Sequence, residues 1–105
     1  MQEVMLIAHL KAKPNQGDAL EKELKALADD VIREEPGCIL YAFHRDNVNT
    51  DAFISIERFA SQQAFDQHLA SVHLKKHQPK MNALMATEPT LTFLTPIGIG
   101  KKGRL

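Results

Sequence analysis

Hydrophobic periodicity along this chain switches from strand spacing to helix spacing and back, twice over, and that order of periods leaves few folds open. Val4 to Ala12 is aliphatic and β-branched with polar interruptions, and Pro14-Asn15-Gln16-Gly17 follows with turn chemistry. Leu20, Leu24, Leu27 and Val31 then recur at helical spacing, Glu21 and Lys25 form an i,i+4 pair, and Pro36-Gly37 ends the segment. Cys38 to Arg45 and Ala52 to Phe59 read as strands joined by the polar run Asn47-Val48-Asn49-Thr50-Asp51, so antiparallel pairing is expected. Ser61 and Ser71 are placed to cap two helical segments, the second reaching about Met85, and Thr90 to Thr95 makes a last strand before Pro96.

The resulting order, β-α-β-β-α-β, is the split βαβ arrangement of ferredoxin-like α+β domains: a four-stranded antiparallel sheet with its helices on one face. Residues 1–98 are read as that single domain and residues 99–105, rich in glycine and charge, as a flexible tail. The first strand is apolar in both alternation phases, Val4, Leu6 and Ala8 on one side and Met5 and Ile7 on the other. A sheet with helices on one side buries its other face most simply against a copy of itself, so a homodimer through the open sheet face is expected.

Composition narrows the partners. Thirteen basic residues balance 13 acidic ones, and no basic stripe is interleaved with aromatics, so nucleic acid is not an expected partner. No apolar run approaches the roughly 20 residues of a membrane helix. One cysteine and no secretory leader pattern give a cytoplasmic reading.

Chemistry-bearing side chains concentrate between Phe53 and His77. His68 shares a helix side with Phe65 and Leu69, so it is expected to face the sheet, either as a pocket base or as a core histidine bonded to a carbonyl. His73 and His77 stand i,i+4, a metal-compatible spacing, but no third ligand or His-Glu-x-x-His pattern accompanies them, and no metal is expected there. Glu57 shares the strand phase of Phe53, Ser55 and Phe59, where a carboxylate is costly unless paired. One hairpin register sets Tyr41 opposite Glu57; a shift of one residue puts them on opposite faces. His9, in the phase of Met5 and Ile7, is a candidate for the pocket or for the space between subunits, and Phe53, Phe59 and Phe65 are candidates to line a flat apolar cavity. Cys38 reads as a small buried hydrophobe. No Walker loop, dinucleotide fingerprint or nucleophile elbow is present.

Three stretches carry a family resemblance: Glu35-Pro36-Gly37-Cys38-Ile39-Leu40-Tyr41, Phe53-Ile54-Ser55-Ile56-Glu57-Arg58-Phe59, and His68-Leu69-Ala70-Ser71-Val72-His73. Together they resemble the antibiotic biosynthesis monooxygenase domain, with Phe59 where the family pattern has Trp. The resemblance implies a dimeric α+β barrel and, as one activity, oxygenation of a small quinol or phenolic aromatic by O₂ with no cofactor. It implies His68 as proton acceptor, Tyr41 and His73 as orienting groups and Glu57 as a tuning group, with His9, Phe53, Phe59, Phe65 and His77 around the substrate. The same superfamily also implies alternatives. These are a non-catalytic small-molecule-binding dimer, an oxygen-independent isomerase of a small phosphorylated sugar, and a heme-degrading monooxygenase whose key positions would fall on His9, His68 and about His77.

Overall fold

The structure, a computed structural model, describes residues 2–98; the expected tail, 99–105, lies outside the described residues. Strand β1 (Val4–Lys11) buries Leu6, Ala8 and Leu10 on one face and leaves Met5, Ile7 and His9 on the other. The following turn passes through Asn15 at φ 66°, a left-handed conformation that asparagine tolerates better than most side chains. Helix α1 (Gly17–Glu34) lays Leu20, Leu24, Leu27 and Val31 against the sheet, all of them essentially solvent-free. Its end is set by Pro36, which forces Glu35 out of helical conformation to φ −118°, ψ 91°.

Strands β2 (Cys38–Arg45) and β3 (Ala52–Phe59) form the expected hairpin. Asp46 Oδ1 accepts from the backbone N–H of Val48 and Asn49, each at 2.8 Å, which builds the connecting turn from its own side chain. Ser61 caps helix α2 (Gln62–Leu69) by accepting from Ala64 N–H, and Ser71 caps helix α3 (Val72–Leu84) by accepting from Leu74 N–H. The last strand, β4 (Thr90–Leu94), completes an antiparallel sheet of order β2-β3-β1-β4. This is the ferredoxin-like α+β fold, with its second helical unit divided into α2 and α3 and the helices packed on one face.

One irregularity positions the site. Between Cys38 and Leu40 the β2–β3 register shifts by a residue, leaving Ile39 as the extra residue of a bulge. Cys38 opposes Phe59; in a regular ladder Tyr41 would then oppose Ile56 and face away from the helices. The bulge instead pairs Tyr41 with Glu57 and turns both inward, where they are 7% and 5% exposed. Among the described residues no helix is long and apolar enough to cross a membrane.

Candidate functional site

Between the sheet and helices α2 and α3 lies a cavity of about 400 Å³, within the range of small-molecule pockets. Its walls are mainly aliphatic and aromatic, among them Leu27, Phe43, Phe65 and Met81, and its polar groups include Tyr41, Ser55, Glu57, His68, Gln78 and Asn82. No lysine or arginine is among its lining residues.

His68 is the best-supported group in this cavity. It sits in the last turn of α2, 4% exposed, with its ring 5.1 Å from that of Phe59, 5.2 Å from Tyr41 and 6.3 Å from Phe65, centroid to centroid. These neighbours restrict the imidazole's rotation. Its Nδ1 lies 2.9 and 3.1 Å from the two carboxylate oxygens of Glu35. A carboxylate only accepts, so Nδ1 is the donor, and a neutral ring then carries its lone pair on Nε2. His68 lines the cavity and Glu35 does not, so the Nε2 edge is the one turned inward.

Glu35 also takes a short hydrogen bond from His73 Nε2, so one carboxylate joins two imidazoles. Three local features bring it there. Pro36 ends α1 at this residue, Gly37 lets the next turn approach α2, and Ser71 Oγ bonds the carbonyl of His68 at 2.7 Å while capping α3. A β-carbon on Gly37 would stand 2.7 Å from that of Ala64, so glycine is required by close approach. Glu35 was not singled out from sequence, because a glutamate at a helix end reads as surface charge. The available signal was its place immediately before Pro-Gly, where the chain must leave the helix axis.

Glu57 is held beneath Tyr41 and accepts from Ser55 Oγ at 2.6 Å. Burial raises its pKa, and the Ser55 bond and the neighbouring His68, which pull the other way, do not cancel that effect. Burial, then the charges of Glu57 and Glu35, pushes the Tyr41 hydroxyl well above the ordinary 10, so it stays protonated. Burial likewise drives the Cys38 thiol to about 11, which removes it as a nucleophile near neutral pH.

The remaining expected site residues separate. Phe65 lines the cavity, whereas Phe59, fully buried, backs the His68 ring from behind. Phe53 shares their sheet face but lies at its far end beneath the Arg45 guanidinium, 5.2 Å from the ring centroid, and does not line this cavity. His9 is exposed on the opposite face, in a separate hollow of about 450 Å³ that His44 also lines. His77 is drawn away to α1: its Nδ1 meets Glu23 at 2.5 Å and its Nε2 meets Asp30 at 2.6 Å. His73 and His77 therefore do not form a pair, and His9, His68 and His77 do not converge on one ligand.

The sequence profile of the antibiotic biosynthesis monooxygenase family matches residues 3–80. The chain belongs to that family. Among solved structures, a candidate antibiotic biosynthesis monooxygenase from Caulobacter crescentus is 27% identical with a TM-score of 0.86, covering 92% of each chain. The protein PA3566 from Pseudomonas aeruginosa is 28% identical with a TM-score of 0.84, over 93% of this chain and 97% of its own. Rv0793 from Mycobacterium tuberculosis is 25% identical, with a TM-score of 0.83 over 95% of this chain and all of its own. The Synechocystis protein sll1783 is 28% identical over 86 residues; this chain spans 56% of that relative's length. The cavity around His68 brings a carboxylate-bonded imidazole, a tyrosine hydroxyl and a buried carboxyl together within mainly apolar walls.

Proposed function

We propose that this chain is a cofactor-independent monooxygenase of a small phenolic or quinol aromatic, working in the cavity between Tyr41, Glu57 and His68. The single observation that carries this reading is the Glu35–His68 pair: a carboxylate bonded to Nδ1 of a ring whose other edge faces an apolar cavity is built to accept a proton. A substrate hydroxyl donates to His68 Nε2, and Glu35 stabilises the imidazolium that forms. The Tyr41 hydroxyl, kept protonated by burial, offers a donor to a second substrate oxygen, and Glu57 beside it tunes the site. The phenolate then passes an electron to O₂, the resulting radicals combine at a ring carbon bearing hydrogen, the peroxide anion takes back the proton held by the His68 imidazolium, and the hydroperoxide loses water. One oxygen atom enters the product as a carbonyl and the other leaves as water. The aromatic and aliphatic walls limit water around the anion.

The cavity's charge argues against a phosphorylated sugar, since its lining offers no cation and includes Glu57 and Glu88. The dispersal of His9, His68 and His77 argues against heme degradation. A homodimer through the open face belongs to the same proposal: Met5, Ile7, Ala42, Ile54 and Ile56 form a half-buried apolar belt there.

Oxygen uptake by chelator-treated protein with reduced naphthoquinols and catechols tests the reaction. Wild-type uptake should exceed autoxidation, and His68→Ala should lower kcat/KM by about 100-fold or more. Uptake at the autoxidation level across the panel would leave a binding role instead.

A further inference from the structure

One ligand atom each of Glu35, His68 and His73 lies within 4.8 Å of the others, and the nitrogens turned to the Glu35 carboxylate are His68 Nδ1 and His73 Nε2. We propose that this triad binds a divalent transition-metal ion of the zinc, cobalt or nickel kind, set behind His68, and that filling it withdraws His68 from proton acceptance. Two imidazole nitrogens and one carboxylate oxygen suit such ions better than magnesium or calcium, and three protein ligands leave a position for water.

The donors come from three elements whose relative placement is already fixed. Glu35 leaves the end of α1, His68 closes α2, and His73 opens α3 behind the Ser71 cap. Phe59, Phe65 and Tyr41 hold the His68 ring in place. The side chains of Glu35, His68 and His73 are 10%, 5% and 14% exposed, so most of their desolvation has been met by folding. Among the described residues Glu35 forms no ion pair with lysine or arginine; its charge is met by the two imidazoles alone. The His77 cluster differs in this respect. It has one imidazole with two carboxylates, and Arg33, Lys76 and Lys80 already stand against Asp30 and Glu23.

A metal on Nδ1 obliges a neutral His68 to carry its proton on Nε2, so the edge facing the cavity becomes a donor. This consequence rests on His68 being the proton acceptor of the proposed reaction; metal binding itself does not.

Cobalt(II) titrated into chelator-treated protein and followed by visible absorption, beside zinc(II) followed by calorimetry, tests the site. One equivalent should bind, and affinity should fall at least ~10-fold in His73→Ala and in Glu35→Gln while staying within about twofold in His77→Gln. Circular dichroism of each variant separates lost binding from lost fold. No saturable signal in the wild type, or binding that survives His73→Ala but is lost in His77→Gln, overturns the site. In oxygen uptake, one equivalent of zinc should suppress turnover at least ~10-fold; full turnover by zinc-saturated protein overturns the coupling. Cobalt bands from protein that never turns over would remove the oxygenase reading while the metal site stands.

Discussion

Glu35 gives its carboxylate to two imidazoles, and that arrangement fixes the tautomer of a neutral His68. With Nδ1 donating to Glu35, only Nε2 is left to receive a substrate proton. Glu35 is a positioning residue in this scheme, since it acts through His68 and does not line the cavity. Glu35→Gln keeps an acceptor for Nδ1 but removes the charge that stabilises the imidazolium. It should lower kcat by about 10- to 100-fold with little change in KM, and steady-state oxygen uptake resolves the two. A comparable rise in KM with kcat intact would mean that Glu35 shapes binding instead. His68 was legible from its helical phase beside Phe65, and Glu57 from its strand phase beside Phe53 and Phe59. Glu35 was not, because its partners lie 33 and 38 residues further on and only tertiary contact reveals them.

Among the elements, α1 and α3 are joined by an ionic contact that involves no cavity residue. His77, on α3, is buried with both ring nitrogens on carboxylates of α1, which requires the imidazolium form. Burial alone would lower its pKa, but the bonds from Glu23 and Asp30 outweigh burial and raise it above the ordinary 6.5. Asp30, bonded to His77 and also to Arg33, is lowered to about 2. Lys76 near Asp30 and Lys80 near Glu23 complete the charges facing this contact. A raised histidine pKa stabilises the fold in full below 6.5, and that contribution is lost as pH climbs through the folded value. A lowered aspartate pKa stabilises above 3.8, and its share is lost as pH falls through about 2. Both contributions are whole between about pH 4 and pH 6.5. The wild-type Tm should therefore fall by several degrees from pH 6 to pH 9, and His77→Gln should flatten that fall. Parallel melting curves for the two proteins would show that the contact is energetically idle. The His77 position also illustrates how i,i+4 spacing misleads: the same spacing from His73 that suits a metal is used here to reach two different acidic partners.

For the whole molecule, the sheet has one face under helices and one face without them. Ile7, Ala42 and Ile56 lie in one row across the middle of the open face, with Thr92 extending it onto β4. A second copy would cover this row, so Ile56→Glu should convert a dimer into a monomer in size-exclusion chromatography with light scattering. Unchanged mass in that variant would place the subunit contact elsewhere. The cavity opens on the other face, so the variant also asks whether oxygen uptake depends on association.

The sequence by itself determined the element order, both serine caps, the hairpin and the ferredoxin-like topology. Those follow from local periodicity and turn chemistry, which act over a few residues and need no knowledge of distant contacts. Tertiary structure alone decided the site. The Ile39 bulge chose the face on which Tyr41 sits, a one-residue matter of register that alternation leaves open in a strand apolar on both sides. Docking of α1 against α3, with the turn after α1 meeting the end of α2, then gave Glu35 to His68 and His73, and Glu23 and Asp30 to His77. Each of those pairings depends on where packed elements meet, and for that reason five histidines of similar appearance in the sequence have dissimilar surroundings in the fold.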